Sequence, residues 1–124
     1  MDTPLGRIMI FTDKTDEMVA FYCTHFGYEV VEPPNDGLVA LHPRGAGTPL
    51  VLHGAGQRKQ DGQALVKLVF DVPDVAGFCA EAATKGLKFS KVFQMDGYAF
   101  ANAKDPAKNP VQVSSWAYSS KLSK

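Results

Sequence analysis

The sequence predicts an α+β protein made of two copies of one module, each ordered strand–helix–strand–strand–strand. Three observations predict it. Asp36 to Leu52 (DGLVALHPRGAGTPLVL) and Asp96 to Val113 (DGYAFANAKDPAKNPVQV) both open on Asp-Gly, run through an apolar strand, and pass a Gly/Pro/basic loop. Both then restart on Pro-apolar-x-apolar, at Pro49-Leu50-Val51-Leu52 and Pro110-Val111-Gln112-Val113. Asp-Gly and X-Pro are turn signals, so each copy reads as a hairpin with a long loop. Upstream, Arg7-Ile-Met-Ile-Phe and Lys67-Leu-Val-Phe-Asp each lead into a helix-like segment, ending at Gly27 and Gly86. The spacings from Arg7 through Gly27 and Gly37 to Pro49 match those from Lys67 through Gly86 and Gly97 to Pro110 within about one residue. A repeat in that register marks two units of one design.

Arg7 to Thr12 is β-like, with Ile8 and Ile10 on one side and Arg7, Met9 and Phe11 on the other. Asp13 or Thr15 is placed to cap the helix that follows, with Asp16 and Glu17 in its first turn. Met18, Val19, Phe21, Tyr22 and Phe26 recur at helical spacing and would cover a sheet. Gly27 suits the residue of positive φ that ends a helix. Tyr28 to Glu32, Leu38 to His42 and Leu50 to His53 complete the module, with a turn at 33–37. Gly54 to Gln63 (GAGQRKQDGQ) reads as a flexible linker. In the second module Val66 to Val72 is the first strand. Pro73-Asp74 opens a helix with Val75, Phe78, Cys79, Ala82 and Ala83 on its apolar side. Leu87 to Phe93, Tyr98 to Ala103 and Val111 to Trp116 are the remaining strands, and Ser119 to Lys124 a frayed tail. The whole is one domain, with module one at about 5–54, a linker at about 55–64 and module two at about 65–117.

Composition narrows the function. The chain has 124 residues, and its 13 basic side chains balance 13 acidic ones, which gives no electrostatic case for nucleic acid or an anionic membrane as partner. There is no apolar run of about 18 residues to span a bilayer, and the opening MDTPLGR lacks the pattern of a secretory signal. Cys23 and Cys79 lie in helix-like segments and read as two free, partly buried thiols, the habit of a cytoplasmic protein. Cys23 has no cation pattern marking a nucleophile. No Ser-His-Asp arrangement, phosphate-binding Gly loop or Cys-x-x-Cys pair is present.

The first strand into DEMVAFYCTHFGYEVV, together with KDPAKNPVQV near the end, resembles the vicinal oxygen chelate superfamily. That group holds glyoxalase I, bleomycin-resistance proteins, extradiol dioxygenases and fosfomycin-resistance enzymes. The likeness covers roughly residues 5 to 117 and is specific for fold rather than reaction. It implies two βαβββ modules forming curved mixed sheets around a cleft, with the helices outside. It also implies a homodimer, which would cover sheet edges.

In metal-using members four inward side chains, typically His, Glu or Gln, grip a divalent ion. The resemblance puts these positions at Arg7, Val51, Lys67 and Gln112, and the repeat pairs Arg7 with Lys67 and Val51 with Gln112. Arg and protonated Lys have no lone pair to give, Val has none, and only Gln112 is a plausible ligand. A shift of two along the fourth strand would substitute His53 for Val51 and leave both cations in place. The sequence thus argues against a metal and implies no cofactor. Arg7 and Lys67 either bind a carboxylate or phosphate or reach to solvent over apolar neighbours. Gln112 and Ser114 could hydrogen-bond a polar substituent, or Gln112 could bond within the sheet. Met9, Phe11, Val51, Val69 and Trp116 would form an apolar wall. His53 is either a strand-end histidine or part of that site.

The preferred expectation is metal-free binding or sequestration of a small molecule, anions included, as in the bleomycin-resistance branch, without catalysis. The alternative is a metal-dependent lyase, isomerase or dioxygenase with an unconventional ligand set. A third is an interaction module with an occluded cleft.

Overall fold

The structure, a computed structural model, describes residues 2–31, 38–54, 62–63 and 65–119. The expected turn at 33–37 and most of the expected linker lie outside these residues. The chain divides into two units, Met1–Asp61 and Gly62–Lys124.

The first unit holds β1 (Ile8–Phe11), α1 (Thr15–Phe26), β2 (Tyr28–Val30), β3 (Leu38–Pro43) and β4 (Leu50–His53). Its sheet runs β1-β4-β3-β2, with β1 parallel to β4 and the other pairs antiparallel. The second unit holds β5 (Leu68–Asp71), α2 (Val75–Thr84), β6 (Phe93–Gln94), β7 (Ala99–Lys104) and β8 (Pro110–Ser114). A 3-10 turn, Trp116–Tyr118, follows. The second sheet runs β5-β8-β7-β6, again with its first pair parallel. The two modules read from the repeat are therefore two four-stranded mixed sheets of the same strand order, each with one helix. Among the described residues no helix is long and apolar enough to cross a membrane.

The core of the first unit lies between α1 and the sheet. Met18, Tyr22, Leu41 and Leu52 are fully buried and Leu50 nearly so. Met18 and Tyr22 are four apart and share one helix face. Tyr22 meets the rings of Phe21, Phe26 and Tyr28. The Tyr28 hydroxyl donates to Thr48 O at 2.9 Å, and burial holds its pKa above the usual tyrosine value, so that proton stays in place. Gly27 ends α1 at φ 70°, in the left-handed region, its N–H donating to Tyr22 O. In the second unit, Val75 and Ala82 of α2 are buried, Phe78 meets Phe89 edge-on, and Ala101, Val111 and Val113 are fully buried. The Asp74 carboxylate caps α2, accepting Gly77 N–H at 3.0 Å. A Cβ at position 77 would run into that carboxylate.

Four expectations are corrected. Neither Asp13 nor Thr15 holds the N-cap of α1. Lys14 does, and Thr12 Oγ accepts the Lys14 N–H at 2.9 Å. β1 and β5 begin at Ile8 and Leu68, so Arg7 and Lys67 each stand just before a strand. The residues that would extend the parallel pairing on β4 and β8 are Pro49 and Pro110, which lack an N–H. The strand expected over 87–93 shrinks to Phe93–Gln94. Along that stretch Ser90 N donates to Asn102 O while Ser90 Oγ accepts Asn102 N–H, so a hydroxyl takes a donor that a ladder would need. Finally, β8 stops at Ser114 and Trp116 is no longer strand. Ser114 Oγ accepts Trp116 N–H, and Ser115 Oγ accepts Ala99 N–H. The paired serines turn the chain out of the sheet.

Candidate functional site

Strand alternation gives each sheet one face toward its helix and one away from it. In the first unit Ile8, Ile10, Leu50, Leu52, Val39 and Leu41 share the helix side by register. Met9, Phe11, Val51, His53, Leu38 and Ala40 share the other. Met9 and Phe11 are 44% and 41% exposed there. Val51, flanked by Met9 and Ala40 on the neighbouring strands, is buried. Arg7 is exposed and makes no hydrogen bond to a described residue.

His53 lies beside Phe11, ring centroids 5.3 Å apart, and its Nδ1 is 2.8 Å from Gly54 O. A carbonyl only accepts, so Nδ1 is the donor of this contact.

In the second unit the away face carries Val69, Asp71, Gln112, Ser114, Asn102 and Phe100 in register, with Lys67 just ahead of β5. Gln112 and Asn102 are partners across β8 and β7. Asn102 Oδ1 accepts from Gln112 Nε2 at 2.9 Å and from Lys67 Nζ at 3.2 Å. Lys67 thus lies over its own sheet rather than reaching straight into solvent. One acceptor for two donors also fixes both amides: the Asn102 oxygen faces the ammonium, and Gln112 turns its nitrogen to that oxygen. Asn102 Nδ2 and Gln112 Oε1 make no hydrogen bond to another described residue. Phe100, one pleat along β7, stacks on Phe93 with centroids 5.2 Å apart, and Lys91 Nζ lies 5.2 Å from the Phe93 centroid. Val69 is 51% exposed. Ser114 is buried, its hydroxyl spent on Trp116 N–H, so it is a turn former before it is a contact residue.

Register brings Met9, Val51 and His53 onto one face, and Val69, Gln112 and Ser114 onto the other unit's equivalent. Trp116 leaves this set with the 3-10 turn. Asn102 is the residue the sequence reading missed. Its signal was a lone polar side chain alternating with Ala101 and Ala103 in a strand, opposite Gln112 in the repeat register where the first module has Ala40 opposite Val51.

The four positions that resemblance assigns to a metal do not fit one. Arg7 and Lys67 are cationic side chains and Val51 has no donor atom, which leaves the Gln112 amide oxygen. Among the described residues no three of His, Cys, Asp and Glu gather at metal-holding distances.

Cys23 and Cys79 are free and half-buried, and burial raises the pKa of both thiols. At Cys23 the Glu29 charge adds to the rise and Arg44 opposes it. A raised folded pKa keeps the thiol protonated where an unfolded cysteine would already ionise. Stability from this source is thus present below the unfolded value and lost as pH rises past it. Alkylation by iodoacetamide at pH 7.5 should be slower at both sites than for N-acetylcysteine, accelerating above pH 9. Equal or faster reaction at pH 7.5 would show an activated thiol instead.

Sequence comparison decides the family. Residues 5–113 match the profile of the Glyoxalase/Bleomycin resistance protein/Dioxygenase superfamily. The chain belongs to that superfamily. Solved structures reproduce its fold. TnmS3, an antibiotic binding protein from Streptomyces sp. CB03234, is 18% identical with a TM-score of 0.73, over 91% of this chain and 96% of its own. A lactoylglutathione lyase from Agrobacterium tumefaciens is 20% identical with a TM-score of 0.70, over 91% and 93% of the two chains. A superfamily member from Sphaerobacter thermophilus is 22% identical with a TM-score of 0.72, over 91% and 97%. No curated protein matches the chain in sequence. At these identities the superfamily relationship fixes the architecture and leaves the chemistry to the residues.

Proposed function

We propose that this protein binds a small acidic molecule without a metal, on the face of the second sheet that carries Lys67, Asn102 and Gln112. The observation that carries the reading is the bonded trio itself. A cation and an amide donor stand together over a sheet face, at two positions that the resemblance assigns to metal ligands. Val69 and Phe100 supply apolar surface beside it, and a few polar groups on an apolar wall are what small-molecule sites have in common. That relatives include an antibiotic binding protein is in keeping with the reading. The face of the first sheet, with Arg7, Met9, Phe11, Val51 and His53, is a second surface of the same kind, more apolar and with one cation. Its exposed Met9 and Phe11 also give a motive for homodimerisation. Binding or sequestration of this sort needs no turnover, and a cytoplasmic protein with free thiols suits it.

The test is a calorimetric and thermal-shift titration with small aromatic acids. Binding should be lost or weakened about fivefold in Lys67→Ala, the loss of one exposed charge-assisted hydrogen bond worth about 1 kcal/mol. Failure of every acid to alter stability, or unchanged affinity in Lys67→Ala, would sink the reading.

A further inference from the structure

Given the reading of the Lys67 face as an acid site, we infer that its ligand is a carboxylate bearing a neutral N–H on the adjacent carbon, as in an N-acylated amino acid. The inference comes from what the trio leaves over. Asn102 Oδ1 is saturated by Gln112 Nε2 at 2.9 Å and Lys67 Nζ at 3.2 Å. What remains is three donors, the Lys67 ammonium, Asn102 Nδ2 and the second N–H of Gln112 Nε2, beside one acceptor, Gln112 Oε1.

A carboxylate satisfies the donors. It cannot satisfy the acceptor, because oxygen lone pairs would face oxygen lone pairs. Gln112 cannot simply turn its amide over, since Nε2 would then leave Asn102 Oδ1. A plain acid therefore leaves Gln112 Oε1 without a partner once the ligand excludes water, and a site built with a polar group rejects ligands that lack its complement. An N–H one carbon from the carboxylate supplies that complement. A free α-ammonium would bring a second positive charge close to Lys67, which disfavours it. An acylated nitrogen keeps the donor and drops the charge. The acyl group then has Phe100 and Phe93 within one pleat of Asn102, about 7 Å along the strand.

The experiment compares hippurate (N-benzoylglycine) with 3-benzoylpropionate, which replaces its N–H by CH2 and keeps every other group. Affinities are read by calorimetry, and the Asn102 and Gln112 side-chain amide signals by NMR. Hippurate should bind about tenfold more tightly and shift both amides. Gln112→Leu should erase that preference. Asn102→Asp keeps an acceptor for Lys67 and Gln112 but removes a donor and adds a negative charge, so it should weaken hippurate at least as much. Equal affinity of the two acids overturns the inference and leaves acid binding standing. Absence of binding by both overturns the inference together with the reading beneath it.

Discussion

Tyr22→Ala should cost about 3–5 kcal/mol of stability, a sizeable share of the roughly 5–15 kcal/mol that holds a domain folded. Tyr22 is fully buried at the centre of α1. Its ring meets Phe21 at 4.9 Å, Phe26 at 6.0 Å and Tyr28 at 6.2 Å between centroids, so truncation removes one wall from three aromatic contacts. The hole cannot collapse cheaply. Met18 on the same helix face, and Leu41, Leu50 and Leu52 on the sheet, are already packed to zero or near-zero exposure. Calorimetry or thermal circular dichroism should show a melting temperature lower by about 10 °C or more. A shift under about 3 °C would mean that α1 is not the cover of the first sheet.

Asp105→Ala should cost about 2–4 kcal/mol, although Asp105 lies in a loop. Its carboxylate is buried and organises the turn between β7 and β8. Oδ1 accepts the N–H groups of Ala107 and Asn109, each at 2.9 Å, and Oδ2 accepts from Asn109 Nδ2 at 3.0 Å. Asp105 O also accepts Lys108 N–H at 2.8 Å, closing a turn in which Lys108 takes a positive φ of 67°. Alanine would strand backbone donors, one of them on buried Ala107, and each stranded group carries its own desolvation cost. Asp105→Asn keeps an oxygen for the two backbone donors and should lose markedly less. Denaturant melts of the two variants separate the accounts: equal losses would mean that charge, rather than acceptor count, matters at this turn.

The fold was legible because it was written twice. Arg7-to-Pro49 and Lys67-to-Pro110 spacings gave the module, and the observed registers put Met9 beside Val51 and Val69 beside Gln112, as the repeat requires. What was not legible turned on hydroxyls that compete with ladders. Ser90 takes an N–H from Asn102, and Ser114 takes one from Trp116, so one strand shortens and another ends early. β-propensity sees Leu, Phe, Val and Trp in those stretches and has no term for such competition. The site divides along the same line. Lys67 and Gln112 could be placed on one face from spacing. That both spend their hydrogen bonds on Asn102 depends on a cross-strand pairing that only the β7–β8 register reveals.

The central claim is that the superfamily's metal positions have been given over to cations, a valine and one amide. Elemental analysis of the protein, purified without chelators and then incubated with zinc, nickel, manganese and iron(II) before desalting, tests it most directly. The account predicts well under one-tenth of an equivalent of any of them per chain. One equivalent of a single metal, lost together with Gln112→Ala, would contradict it.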